Sequence, residues 1–431
     1  MALLREHLIV MTRLPVAGKT KTRLIPALGA VGAAAMHDQL ARHAIGRASA
    51  YVLTRPQAQL DVRIEGGTTV DAHEWLGGKC RCRRQHAGDL GARLSQAIRE
   101  SFDEGADKVV VIGTDCPGLD EAAFAEAFAV LDDAPLAVAP ADDGGYVMLG
   151  LTRPMPMLFE GIDWGGPEVF AQTMAAAKAA GVVPKTLSRF ADVDVADDLP
   201  AARDALAAGS SLSVIIPTLN EAGTVAELIR PLRRAGVEEI LVADSGSEDG
   251  TPERAREAGA QVIAAPRGRA AQMNAAAQMA TGEMLLFLHA DTQPPENFRE
   301  VVADTLRQPG VAAGAFRFSL GHGYRHAALI EALVDWRCRL RQLPYGDQGF
   351  FVRRRVFESL GGFPDLPMME DYVMVRRAKK LGRVVVTRAS AHTSPRRWQE
   401  GGLIRTFLLH QLMLGAFHLG VPLRWLARFR V

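Results

Sequence analysis

The chain reads as α/β throughout, with two tandem domains that each carry a mostly parallel central sheet, and three observations predict this. Its 431 residues exceed what one hydrophobic core usually supports and suggest two domains of roughly 200 residues. Apolar β-branched runs alternate with Ala-rich helical stretches, the rhythm of βαβ units. A weak internal repeat links EGADKVVVIGTDCP, Glu104 to Pro117, with TGEMLLFLHADTQP, Thr281 to Pro294. In each, a Gly, an apolar strand and an Asp follow in order. An Asp at the carboxyl end of a central strand lies where open α/β sheets bind ligands, so one kind of site is expected twice. Chance similarity between two buried strands is the plain alternative.

The first element is the strand Leu8 to Met11. Arg5, Glu6 and His7 interrupt the apolar run before it before a secretory segment can form, so no export signal is expected. MTRLPVAGKTKTRL then places Arg13, Lys19, Lys21 and Arg23 in and around a Gly-containing loop. Four cations so close suit a diphosphate or triphosphate, although the spacing is not that of a Walker A loop. A solvated basic loop would carry the same residues. Cys80 and Cys82 form a C-x-C pair in a basic loop and receive no role; with Cys116 and Cys338 they are too few and too scattered for a disulfide framework or a zinc site. A reducing cytoplasm is the expected setting. In PADDGGYVMLGL, Asp143 precedes Gly144 and Gly145, which would let a substrate loop approach closely or simply turn between strands. Trp164 shapes a site or packs. The helix from about Pro200 ends in Gly-Ser-Ser, giving domains 1–205 and 212–431 with 206–211 as linker.

The second half opens with LSVIIPTLNEAGTV, a buried strand entering a polar turn that caps a helix. The strand Glu239 to Ala243 delivers Asp244 into DSGSEDGT, where its carboxylate would accept hydrogen bonds from a base or ribose. PRGRAAQMNAAAQMATGE sets Arg267 and Arg269 at a helix start, a place where guanidinium groups and free amides favour a pyrophosphate. Surface arginines look the same in sequence. LLFLHAD ends in His289 and Asp291, two residues apart and so on one side of an extended chain. Such a pair can hold Mg2+ or Mn2+ against a diphosphate. Further on, Glu370 and Asp371 precede a helix, where acidic residues commonly do no more than complement its dipole.

Taken in order, the segments from about Leu212 to Trp398 resemble the inverting family 2 glycosyltransferases, whose α/β nucleotide-binding fold is called GT-A. The resemblance implies that Asp244, with Pro217, Glu221 and Ser247 beside it, contacts the nucleotide. It implies a metal motif Asp-x-Asp, which stands here as His289, Ala290, Asp291, leaving Asp291 as the ligand and His289 as an atypical neighbour. Asp371, with Glu370, becomes the general base that takes the proton from an acceptor hydroxyl. GDQGFFVRR, Gly346 to Arg354, matches the acceptor-side loop, and Arg396, Arg397 and Trp398 resemble the Arg-Trp motif that steadies the leaving diphosphate. A lone histidine, His392, is another conceivable metal neighbour.

The first half, through the basic loop, GDLGARL, VIGTDCPGL, PADDGGYVMLGL and DVDVADDL, resembles a family of uncharacterised GT-A-like transferases, similar in fold to sugar-phosphate nucleotidyltransferases. By that resemblance Asp115 and Asp194 are metal ligands, and Lys19, Lys21 and Arg23 hold phosphates. Fusions of the two families resemble transferases associated with radical-SAM, selenium-related and arsenosugar gene clusters. The expected architecture is therefore two tandem nucleotide-diphospho-sugar transferase domains.

These readings imply a bifunctional transferase that needs a divalent cation, Mg2+ or Mn2+. Its partners would be a nucleotide-sugar donor and a small-molecule or lipid-linked acceptor. A net charge of +1 and 23% charged residues imply no nucleic acid partner. Within residues 403–431, Leu403 to Val421 is apolar but interrupted by Arg405, His410, Gln411 and His418, too polar to span a bilayer. They read either as a helix packed on its own domain or as a contact with the inner face of a membrane. The first domain has three readings: nucleotidyltransferase, second glycosyltransferase, or a module that binds nucleotide without turning it over.

Overall fold

A computed structural model describes residues 4–76, 80–320, 326–341 and 343–394, with isolated positions between 412 and 421. The chain divides into two compact units, Met1–Gly209 with Arg307–Gly310, and Ser210–Leu306 with Val311–Val431. Each is α/β, and each sheet is mostly parallel. Among the described residues no helix is long and apolar enough to cross a membrane. Arg396, Arg397 and Trp398 lie outside the described residues, as does most of 403–431.

In the first unit the strands are β1 (Glu6–Arg13), β2 (Ala58–Glu65), β3 (Cys82–Arg84), β4 (Lys108–Ile112), β5 (Leu136–Pro140), β6 (Tyr146–Leu151) and β7 (Pro184–Thr186). Their order is β3-β2-β1-β4-β6-β5-β7, with only β6 antiparallel to its neighbours. Between them run α1 (Ile25–Leu53), α2 (Thr69–Leu76), α3 (Leu90–Asp103), α4 (Glu121–Val130) and α5 (Val169–Ala179), and α6 (Leu199–Ala208) closes the unit. All five residues of β4 are buried, as a strand covered by helices on both faces requires. Leu8, Val10 and Val62 face a core with Tyr51 and Phe124, while Ile9, Val109 and Val111 face the other side with Leu94 and Ile98. Glu6, the charge that interrupts the N-terminal apolar run, is buried and accepts the Tyr51 hydroxyl at 2.9 Å.

The second unit has β8 (Leu212–Thr218), β9 (Glu239–Asp244), β10 (Gln261–Ala264), β11 (Met284–Phe287), β12 (Thr292–Gln293), β13 (Val311–Ser319), β14 (Phe350–Arg353) and β15 (Arg383–Thr393). They are ordered β10-β9-β8-β11-β14-β13-β15-β12. Its helices are α7 (Val225–Arg234), α8 (Thr251–Glu257), α9 (Arg269–Met279), α10 (Phe298–Arg307), α11 (Ala327–Arg341), α12 (Arg354–Ser359) and α13 (Glu370–Leu381). The repeat seen in sequence occupies the same place in both sheets. β4 and β11 each pair in parallel with the first strand of their sheet and antiparallel with the strand on their other side, β6 or β14. Parallel order therefore runs outward from β1 and from β8 in both directions, which opens a crevice at their carboxyl ends.

Candidate functional sites

In the first unit the loops after β1 and β4 meet at that crevice. One cleft of about 220 Å³ is lined by Arg13, Lys19, Lys21, Arg23, His37, Asp115 and Asp194. It thus gathers all four cations and the two carboxylates, Asp115 and Asp194, expected from sequence to hold a metal. Lys21 is the hub: its ammonium lies 2.9 Å from Asp115 and 3.0 Å from Asp194, and its side chain is only 6% exposed. Arg23 reaches Asp194 at 3.1 Å, whereas Arg13 is drawn aside to Glu65 at 2.9 Å and Lys19 is exposed. Lys21 holds a left-handed backbone, φ 47°, which is unusual for a side-chain-bearing residue and aims the ammonium inward.

An adjoining cleft of about 350 Å³ shares Arg13, His37 and Asp115 and adds Asp143, Tyr146 and Asp192. Here the carboxylates of Asp143, Asp192 and Asp194 lie within 4.8 Å of one another, close enough for one cation. Asp192 was not singled out from sequence, although it stands two residues before Asp194. Burial first, then the charges of Asp143 and Asp194, push its pKa up to about 6. Asp143 also accepts the Gly145 amide at 2.8 Å, closing the turn. Gly144, φ 92°, cannot carry a side chain, because a Cβ would fall 1.9 Å from the Pro167 carbonyl oxygen. His37 is a further residue that sequence reasoning missed. Its Nε2 bonds the Arg13 carbonyl oxygen at 2.9 Å, and burial lowers its pKa against the raising influence of that carbonyl and Asp115. Trp164 stacks on Phe159 at 6.5 Å and meets Tyr146 edge-on at 6.4 Å.

In the second unit the loops after β8 and β9 are laced together. Asp244, at the end of β9, accepts the Gly246 and Ser247 amides at 3.0 and 2.9 Å and the Thr218 hydroxyl at 3.0 Å. The Ser247 hydroxyl bonds it as well, at 2.5 Å. Burial alone would raise its pKa, yet these hydrogen bonds hold it below the ordinary carboxylate value. Pro217, the penultimate residue of β8, lies opposite Ala243, and the Glu221 amide donates to the Thr251 hydroxyl at 2.8 Å. Gln272, buried on α9 and not singled out from sequence, donates to the carbonyl oxygens of both Thr218 and Ala243 at 2.8 Å. One amide thereby ties the helix carrying Arg269 to the ends of two strands. Its only sequence signal is a polar residue within an Ala-rich helix.

Arg269 opens α9 and reaches Glu370 at 3.5 Å, while Arg267 is exposed in the preceding loop. Glu370 is buried, and Asp371 beside it accepts the Gly346 amide at 2.7 Å. Met369, immediately before them, is held at φ 65°. Gly346 is the meeting point of the site: a Cβ there would lie 2.9 Å from His289 Nε2 and 3.4 Å from an Asp371 oxygen. His289 and Asp371, expected from sequence as metal neighbour and base, thus border the same residue.

One geometric expectation is corrected. β11 ends at Phe287, and the Thr292 amide bonds the His289 carbonyl oxygen at 3.0 Å, so His289 and Asp291 sit in a turn, not along an extended strand. The β12–β15 pairing imposes this bend by drawing Thr292 and Gln293 onto Thr393 and His392. His392 spends its Nδ1 on the Ser319 hydroxyl at 3.1 Å.

Residues 49–166 match the family described as "Uncharacterized protein conserved in bacteria (DUF2064)", and residues 213–361 match "Glycosyl transferase family 2". The two matches fall on the two halves that resemble these families in sequence. It is 37% identical over 111 residues to glucosyl-3-phosphoglycerate synthase of Mycolicibacterium smegmatis, covering 23% of this chain and 35% of that protein. It is 26% identical over 170 residues to glycosyltransferase AglE of Haloferax volcanii, covering 36% and 56%. The chain thus spans between about a third and somewhat over half of these relatives. A solved candidate nucleotide-diphospho-sugar transferase from Desulfovibrio desulfuricans G20 is 29% identical, with a TM-score of 0.40, over 45% of this chain and 84% of that one.

Proposed function

We propose that the second unit is an inverting glycosyltransferase that moves a sugar from a nucleoside diphosphate to a hydroxyl acceptor. The observation that supports this most is the convergence of Asp371 and His289 on Gly346, at the crevice bordered by the β8 and β11 loops. In this reading Asp371 accepts the proton of the acceptor hydroxyl as its oxygen attacks the anomeric carbon from the side opposite the diphosphate. Asp291, with His289 near it, offers oxygen and imidazole donors suited to Mg2+ or Mn2+, which would supply positive charge to the departing diphosphate. Arg269, held by Glu370, steadies the same leaving group, with Arg267, Arg396, Arg397 and Trp398 as further candidates. Asp244 organises the nucleotide loop, together with Pro217, Glu221 and Ser247.

For the first unit the proposal is a second transferase centre of nucleotidyltransferase type. Lys21 now neutralises Asp115 and Asp194, as a divalent cation would. Arrival of a phosphate gives Lys21 a new partner and frees Asp115 and Asp194, the latter beside Asp143 and Asp192, for the cation. The test is pyrophosphate release by the full chain from nucleoside triphosphates with sugar phosphates; release that vanishes in Asp115→Ala supports catalysis, and none at all leaves a binding module. The domain limits proposed are 1–205 and 212–431.

For the second unit, donor nucleotides are first identified by thermal shift with Mn2+, because a ligand of the native state raises stability. Phosphorylated small acids, the acceptor class named in the glucosyl-3-phosphoglycerate synthases, come first among acceptors. Asp371→Asn is expected to keep donor affinity, since its amide oxygen still accepts the Gly346 N–H, and to lose about 10²–10⁴-fold in turnover. Unchanged turnover would remove Asp371 from the chemistry.

A further inference from the structure

On the far edge of the first sheet lies a cluster that neither proposed reaction uses. We infer that His73, Cys80 and Cys82 form a binding site for a thiophilic cation of the Zn2+ class, joining the last turn of α2 to the edge strand β3. The three residues offer one ligand atom each, all within 4.8 Å of one another. The two sulfur atoms are 2.8 Å apart, sharing a hydrogen bond in the metal-free chain.

Strand alternation builds the pair. Cys82 opens β3 opposite Val62, and Cys80 two residues earlier falls on the same face, so that both pack against the core that holds Val62. The residues between and after them, Arg81 and Arg83, turn to the opposite face, where both pair with Glu104 and Arg83 also reaches Glu100 at 3.4 Å. The basic character of the loop in sequence is thus compensated on the other side of the sheet. A cation at the thiols meets no uncompensated positive charge from these arginines.

His73 supplies the third donor. Its Nε2 bonds the Cys80 carbonyl oxygen at 2.9 Å, fixing the ring beside the sulfurs. A ring that donates from Nε2 keeps Nδ1 basic, and a ligating histidine commonly has its other nitrogen so bonded. The cysteines are half-buried and His73 is exposed, so the site is anchored yet open to solvent. Two thiolates and one imidazole suit Zn2+ or Cu+ rather than Mg2+, with water completing four-coordination. Both thiols must lose their protons to ligate, so binding releases protons.

The test uses the full chain, reduced and stripped of metal, titrated with Co2+. The expected result is thiolate-to-cobalt charge-transfer absorption saturating at one ion per chain and abolished by added Zn2+. Cys80→Ser/Cys82→Ser removes the band, His73→Ala weakens affinity at least about tenfold, and Asp192→Asn leaves both unchanged, which separates this site from the carboxylate cluster. A missing band, a band that survives the double cysteine variant, or a Cys80–Cys82 disulfide with no metal uptake after reduction would each overturn the inference.

Discussion

Lys21→Met tests whether the first unit is built around a charge that a cation can replace. The substitution keeps the buried stem and removes the ammonium; any non-glycine side chain bears the left-handed backbone alike, so that strain cancels. At 2.9 and 3.0 Å, each carboxylate attracts the ammonium by roughly 5–6 kcal/mol at an effective dielectric of about 20. Burying an ammonium on a side chain only 6% exposed costs several kcal/mol of this, by the usual order of magnitude. Asp115 and Asp194 remain 46% and 33% exposed, so solvent screens much of the remainder. The net loss expected is about 1–3 kcal/mol, or a fall in Tm of roughly 2–10 °C for a domain of this size. Hydrogen exchange localises it, because the Val193 amide bonds the Asp115 carbonyl oxygen at 2.9 Å and exchanges faster when that corner loosens. Without the competing ammonium, Mn2+ restores more stability to the variant than to the wild type. Equal Mn2+ effects in the two proteins, or unaltered Val193 protection, would refute the reasoning.

Asp192 titrates with a pKa raised to about 6, so cation uptake at the Asp143, Asp192 and Asp194 cluster falls as pH drops through about 6; calorimetric titration at pH 5 and 7.5 reads this. The stability effect has the opposite sign. A raised carboxyl binds more protons folded than unfolded, so the metal-free unit loses stability as pH rises from about 4 to 6, and Asp192→Asn flattens that slope in urea unfolding. Gly346→Ala is expected to fold, since its φ is not in the left-handed region, but to displace His289 and cut turnover about tenfold to hundredfold; wild-type kcat would exclude a shared site. Gln272→Leu removes donors from the Thr218 and Ala243 carbonyl oxygens and should cost about 1–3 kcal/mol in denaturant unfolding, with weaker nucleotide binding; Thr218 keeps the Ser245 amide, which limits the loss.

The sheets were legible because β1, β4, β8 and β11 are short apolar runs bounded by polar turns, and a buried parallel strand needs nothing else. The basic loop was legible too, since its four cations are nearest neighbours in sequence. Residues joined only through tertiary contact were not. His37 sits on a long helix with no motif around it, and Gln272 differs from other helical glutamines only in where α9 lands. The period-two argument failed at His289–Asp291, where β12 pairing bends the chain, yet the same spacing brings Asp192 and Asp194 together in a stretch that is neither helix nor strand. Spacing alone therefore places two side chains together only when the segment's own pairing partners are known.

The repeat gains meaning from topology. β4 and β11 hold equivalent positions, and each is followed by an acidic residue, Asp115 or Asp291, beyond its carboxyl end; Asp115 lines the crevice beside β1. The surroundings then diverge. Asp115 meets a buried lysine and a return segment bearing Asp192 and Asp194, a carboxylate-rich corner that needs positive charge before phosphates can approach. The corresponding strand in the second unit leads to His289, whose imidazole brings no negative charge, and His289 borders Gly346, whose amide Asp371 accepts. In the proposed reading the first crevice gathers cation and phosphates, and the second takes a proton from an acceptor.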